Sequence, residues 1–157
     1  MRKATRQFLK ILAEAGADTR LIKVQRLELD YTKPNECFKN AMKFIDKNEE
    51  HYLRSGWLVG EYWGESGTAI MPHYWVYDAA TQSDYDVTPI EDGQTFEYIL
   101  DMNIVNAISE ELKIDIPVSV KLKSDGVLFA RVGVGKYLKL NMLVYSDLFE
   151  LAAIADD

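Results

Sequence analysis

Only one cysteine occurs among the 157 residues, at position 37. A lone thiol forms no internal disulfide, which excludes a small disulfide-stapled scaffold. The two histidines, His51 and His73, add too few ligands to complete the tetrahedral Cys/His set of a structural zinc site. Long apolar runs are missing too. The N-terminal stretch MRKATRQFLKILAEAG opens basic, but Lys10, Glu14 and Asp18 break up its apolar residues. It therefore has the continuous apolar segment of neither a signal peptide nor a membrane span. It reads as an amphipathic surface helix, and the expectation is a cytoplasmic protein with no membrane partner. Positive charge is scarce: 18 Lys and Arg stand against 25 Asp and Glu, a net charge of -7. That balance argues against nucleic acid as a partner, because phosphates call for a basic surface.

What is present suits an ordinary globular chain, with 48% hydrophobic and 27% charged residues. The length fits a single domain, 1–157, with a sizeable core. There are no repeats, low-complexity runs or linkers. Residues 4–15 predict a helix, since Phe8, Leu9, Leu12 and Ala13 follow helical spacing and Gly16 is a natural stop. Residues 21–31 read as a strand or extended arm. Residues 35–47 predict a second helix with Phe38, Ala41, Met42 and Ile45 on one stripe, Pro34 ahead of it and Asn35 as N-cap. Strands are expected at 57–63 and 70–77, joined by a turn at 64–67. DAAT at 78–81 turns the chain into a third strand, SDYDVT. Residues 95–112 predict a helix through Phe96, Ile99, Leu100, Ile104, Ala107, Ile108 and Leu112. A hairpin turning at 124–126, a strand near 137–144 and a last helix from Ser146 complete the expectation. Helices first, antiparallel strands next and mixed elements after indicate an α+β fold.

Chemistry centres on Cys37. In the first turn of a helix capped by Asn35, its sulfur would meet the positive end of the helix dipole and N–H groups with no intrahelical partner. Both favour the thiolate and an oxyanion beside it. The plainer reading is a small buried hydrophobe. His73 shares a strand face with Met71, Trp75 and Tyr77. A turn centred between Ala79 and Ala80 places it directly opposite Asp86, close enough to interact. Asp86 would then hold one ring nitrogen and leave the other for Cys37, the relation of orienter, base and nucleophile. A slip of one residue would turn Asp86 to the wrong face. Asp84 shares its face and is the substitute if the strand is bulged.

Residues 35–89 resemble the core of the transglutaminase-like superfamily, within the wider papain-like cysteine protease group. The elements carrying the resemblance are Cys37-Phe38 with Asn40-Ala41, then Arg54-Ser55-Gly56 leading into Trp57, then His73-Tyr74-Trp75, then Asp86-Val87-Thr88-Pro89. They cover about a third of the chain, in the family's order. The resemblance implies an antiparallel sheet packed against the helix that carries the cysteine. It also implies Cys37 as nucleophile, His73 as general base and acid, and Asp86 as orienter. Two departures stand out. Glu36 replaces the usual glycine before the cysteine, and no upstream glutamine is placed to complete an oxyanion hole; Gln25 lies far off in sequence.

Among the remaining candidates, Trp57 and Trp75 either line a substrate cleft or belong to the core, with Trp75 the nearer to His73. His51, beside Glu49 and Glu50, reads as a surface residue, and Asn40 as a helix-surface amide. The expected activity is cysteine-dependent acyl transfer or amide hydrolysis through a thioester on Cys37. The substrate would be a peptide, a protein or a small amide, with no metal or organic cofactor. The rival expectations are a degenerate fold serving as a binding module, and a domain whose Cys, His and Asp never meet.

Overall fold

Phe8 and Leu12 stand one turn apart near the N-terminus, and both are fully buried. The computed structural model describes residues 1–61, 68–91, 93–104, 120–123, 125, 127–133 and 136–140. In it helix α1 spans Lys3–Glu14, and Gly16 follows with a φ of 79°, a left-handed conformation that stops a helix at little cost to glycine. Phe8 meets the Trp57 ring edge-on at 5.3 Å. Ahead of the helix, the Arg2 guanidinium donates to the carbonyls of Val59 and Thr95, fixing where α1 begins on the sheet.

Helix α2 spans Cys37–Lys47. Its N-cap is Glu36 and not Asn35, which corrects the expectation from sequence. Asn35 instead takes a φ of 61°, a left-handed turn that asparagine tolerates better than most residues. The helix therefore starts one residue later, and Cys37 is its first residue.

The strands are β1 Arg20–Ile22, β2 Val24–Arg26, β3 His51–Glu61, β4 Thr68–Asp78, β5 Ser83–Asp86, β6 Glu97–Leu100, β7 Val120–Leu122, β8 Leu128–Gly133 and β9 Lys136–Leu140. With the two helices they make an α+β fold. The sheet is mixed rather than antiparallel throughout, because β2 pairs in parallel with β5. That pairing also closes the sheet on itself. β1 pairs with β6, β6 with β3, β3 with β4, β4 with β5, and β5 with β2. Only Lys23 separates β1 from β2. The two are therefore successive halves of one extended segment, which changes partner at Lys23 and joins both ends of the ring. β7 branches away along β4, followed by β8 and β9.

Ring closure sorts the side chains by alternation. Leu58, Trp75 and Tyr98 fill the inside, with Ile22, Val24, Met71, Phe96 and Leu100 packed on them. Trp57, Val59, Ile70, Tyr74 and Ile99 face outward and are covered by α1. Val76 and Val87 face outward under Ala41 of α2. The inside of so small a ring is crowded. A Cβ on Gly56 would collide with the Ile99 carbonyl oxygen and the Trp75 ring.

Residues 95–104 depart most from the sequence reading. Glu97–Leu100 is strand β6, not helix. Tyr98 is buried inside the ring and Ile99 outside it, so the strand carries apolar residues on both faces and loses the alternation that marks a half-exposed strand. The expected turn at 64–67, the helix beyond 104, the end of the strand near 144 and the last helix from Ser146 lie outside the described residues. Gly56→Ala is expected to lower the stability to urea by about 1–3 kcal/mol, the usual range for overpacking a filled core. An unchanged urea midpoint would contradict the crowding described here.

Candidate active site

Asp78 sets the turn that aligns the two strands of the site. Its Oδ1 accepts the N–H groups of Ala80 (2.9 Å) and Thr81 (3.3 Å), and Gln82 closes the turn at a φ of 53°. The resulting register pairs Val76 with Tyr85, Tyr77 with Asp84 and Asp78 with Ser83. Continued along both strands, it puts Asp86 opposite Trp75, not opposite His73 as the sequence suggested. The turn is centred one residue later than expected, so the register moves by an even step. Even steps keep each side chain on its face. His73 and Asp86 are therefore diagonal neighbours inside the ring, and His73 Nε2 lies 2.9 Å from Asp86 Oδ2.

Both groups are deep, with Asp86 0% and His73 6% exposed. The imidazole lies between Trp75, stacked at a centroid distance of 6.4 Å and 27° between planes, and Tyr98, edge-on at 6.4 Å. Asp86 is held by more than His73. Its Oδ2 also accepts the Tyr98 hydroxyl (2.7 Å) and Arg26 Nη1 (3.2 Å), while Oδ1 accepts the Thr88 N–H (3.0 Å). Burial pushes the Asp86 carboxyl up, but the charge and hydrogen bond of His73, the Thr88 N–H and the Arg26 charge outweigh it, leaving it below the ordinary carboxylate value. Burial pushes the His73 ring down. The charge and hydrogen bond of Asp86, with the hydrogen bond and charge of Cys37, overcome this and raise it to about 10.

Cys37 reaches that ring from outside the sheet. Helix α2 lies on the outer face, with Phe38 edge-on to Tyr74 at 5.3 Å. On the side of β4 away from β3, β5 pairs at residues 76–78 and β7 at residues 68–70. Among the described residues, 71–75 have no strand partner on that side. Pro72, which has no N–H to give a ladder, falls in this stretch beside His73. The thiol hydrogen-bonds the imidazole. With Nε2 on Asp86, Nδ1 is the nitrogen left for sulfur. Asp86 and Cys37 thus both contact the one imidazole, in an arrangement that strand alternation alone did not indicate. The neighbouring Glu36 carboxylate pairs with Lys39 at 3.6 Å.

The other candidates fall elsewhere. Trp57 is fully buried under α1, on the sheet face away from His73, and its Nε1 donates to Asp101 Oδ2 (2.8 Å). It is a core residue rather than a cleft wall. Trp75 borders His73 but is also fully buried, its Nε1 held by Asp84 Oδ1 at 2.8 Å. Asp84 pairs with Arg54 at 3.0 Å and does not substitute for Asp86. Gln25 is exposed on β2. His51 is half-buried at the start of β3, with Nδ1 2.6 Å from the Glu49 carbonyl. Asn40 is fully buried rather than a surface amide. Its Nδ2 donates to the Lys33 carbonyl (2.7 Å) and to Thr88 Oγ1 (3.2 Å), and its Oδ1 accepts the Lys33 N–H (3.1 Å). It ties the cysteine helix to the segment after Asp86.

Sequence reasoning missed Arg26 and Tyr98. One signal was available for Arg26, which follows Ile22 and Val24 on the inward-facing positions of an alternating segment. A charge on the apolar side of a strand calls for a buried partner. Tyr98 was hidden by the helical reading of its segment. Among the described residues, no group of three or more His, Cys, Asp or Glu is placed to hold a metal ion, and no helix is long and apolar enough to cross a membrane. Comparison with protein-family models, with curated proteins and with solved structures returned no match.

The raised pKa of His73 makes the charged ring a source of stability. Relative to an unfolded histidine near 6.5, that contribution is complete below about pH 6.5 and is lost as pH climbs through about 10. In urea titrations, the stability gap between the native chain and His73→Gln is expected to be widest at pH 6 and to shrink toward pH 10. A gap that stays constant across this range would show that the ring carries no extra proton.

Proposed function

We propose that the protein is a cysteine-dependent acyl-transfer or amide-hydrolysing enzyme of the papain/transglutaminase-like kind, with Cys37 as nucleophile, His73 as base and acid, and Asp86 as orienter. The observation that carries this reading is one imidazole, pinned by a fully buried carboxylate on Nε2 and hydrogen-bonded to the lone thiol at a helix N-terminus. Three residues far apart in sequence meet in the relation that nucleophilic catalysis needs. The order of Cys37, His73 and Asp86 along the chain, and the helix bearing Cys37 laid on the strands bearing the others, support the family resemblance.

The chemistry follows from the geometry. With the thiol's proton held on the His73 ring, which its raised pKa of about 10 favours at neutral pH, the sulfur attacks the carbonyl carbon of an amide, forming a C–S bond and a tetrahedral oxyanion. The imidazolium gives its proton to the leaving nitrogen as the C–N bond breaks, which leaves a thioester. Water or an amine then attacks the thioester while His73 accepts its proton. The new bond forms, the C–S bond breaks, and the released sulfur stands again beside the protonated ring. Asp86 keeps the imidazole aimed throughout and stabilises its charged form. The positive end of the α2 dipole favours negative charge at the sulfur.

A second reading, an idle site on a binding module, draws on the burial of His73 and Trp75, which leaves little imidazole surface open. Thiol reactivity separates the two. At pH 7 Cys37 is expected to react with iodoacetamide about tenfold faster than in His73→Ala, in line with the small thiolate fraction of an unassisted cysteine. Asp86→Ala is expected to fall between them. Equal rates in the native chain and His73→Ala would remove the enzyme reading and leave the module.

A further inference from the structure

Asp86 Oδ2 receives two donors besides His73, and both come from the segments that close the ring. Tyr98 on β6 donates its hydroxyl at 2.7 Å, and Arg26 on β2 donates Nη1 at 3.2 Å. The same Arg26 Nη1 lies 2.7 Å from the Tyr98 hydroxyl oxygen, and Arg26 Nη2 donates to the Thr88 carbonyl. Arg26 and Asp86 are directly paired in the parallel ladder, so the backbone register itself brings guanidinium and carboxylate together. The Leu27 N–H donates to the Asp86 carbonyl at 2.9 Å and locks that register. Asp86 is thus gripped from three strands, and one of its oxygens holds His73 Nε2.

We propose that Arg26 and Tyr98 are positioning residues of the cysteine site, fixing the Asp86 carboxylate so that His73 keeps one nitrogen on it and the other on Cys37. This deepens the reading of Cys37, His73 and Asp86 as a catalytic set and rests on it. Arg26 and Tyr98 each act through the carboxylate, in two ways. Geometrically, three donors converging on Oδ2 leave the carboxylate no freedom to rotate away from the ring. Electrostatically, Arg26 and Tyr98 draw on the negative charge that would otherwise bear on His73 alone. The Tyr98 hydroxyl is held well above its ordinary value by burial and by the Asp86 charge, so it remains a donor. Sharing the charge matters because an imidazolium gripped too hard is a poor acid toward a leaving amine.

The test uses the full-length chain with Tyr98→Phe, Arg26→Gln and Arg26→Lys. Two quantities are read: the pH midpoint of the His73 imidazole by nitrogen NMR, and the pH profile of Cys37 alkylation by iodoacetamide. Tyr98→Phe removes one neutral donor and is expected to raise the His73 midpoint by roughly half a unit or more, the size of one lost hydrogen bond. Arg26→Gln is expected to raise it further, since a positive charge near the ring is lost as well. Arg26→Lys, which keeps the charge but not the fork, should restore part of the shift. The high-pH limb of the alkylation profile is expected to move with the midpoint. A merely structural role would lower stability and leave both readouts unmoved. Native and variant midpoints that coincide, with alkylation still dependent on His73, would overturn this proposal alone. Alkylation independent of His73 in the native chain would instead overturn the catalytic reading beneath it.

Discussion

The Asp86 carboxylate lies wholly out of water, and among the described residues four donors converge on it: His73 Nε2, the Tyr98 hydroxyl, Arg26 Nη1 and the Thr88 N–H. A buried carboxylate without such partners would take up a proton or prevent the chain from folding around it. Satisfying this one charge explains much of what surrounds it. The parallel pairing of β2 with β5 delivers Arg26, and the pairing of β6 with β3 and β1 delivers Tyr98. The sharp exit of the chain after β5 turns the Thr88 N–H back onto the carboxylate. Asn40 then fastens the cysteine helix to Thr88 Oγ1. The helix that carries the sulfur and the strand that carries the carboxylate are thereby held by one hydrogen-bond network, and such networks are more rigid than their separate pairs suggest.

Ring closure and the gap in the ladder have complementary effects. Closure encloses the imidazole and carboxylate among Trp75, Tyr98 and Leu58, where electrostatic attraction is strong because water is excluded. A fully closed wall would also seal the imidazole from the outer face, where α2 lies. Among the described residues, the stretch of β4 around His73 has no strand partner on the side away from β3, between the pairings with β5 and β7. Glycine at 56, opposite His73 on β3, leaves space inside for the Trp75 ring that walls the imidazole. The site is thus a product of where strands pair and where they stop.

Local signals carried much of this arrangement. Helix α1 followed from the spacing of Phe8 and Leu12 and from the stop at Gly16, because a helix on a sheet must present an apolar stripe. The strands around His73 and Asp86 were legible from apolar runs bounded by turn residues. The reading failed where both faces of an element are buried. At Glu97–Leu100 the alternation vanished and a helical period fitted the same letters. It failed at Asn35 because asparagine suits an N-cap and a left-handed turn equally well. Trp57 resembled a cleft residue only because letters do not say which face α1 covers. The turn after β4 was misplaced by one residue, yet His73 and Asp86 still shared a face, since the step in register was even.

The sequence alone determined which groups could do chemistry here: one thiol at the start of a helix, one histidine in an apolar strand, and a carboxylate on the strand that follows. These are local properties, written in residue type and short-range periodicity. Only the tertiary structure decided that they meet. The contact depends on a strand changing partners at Lys23, on a carboxylate held diagonally rather than face to face, and on where β4 pairs with β5 and with β7. Each arises from contacts between residues distant in the chain. Which distant strands pair is set by the free energy of the whole fold, and no single segment encodes it.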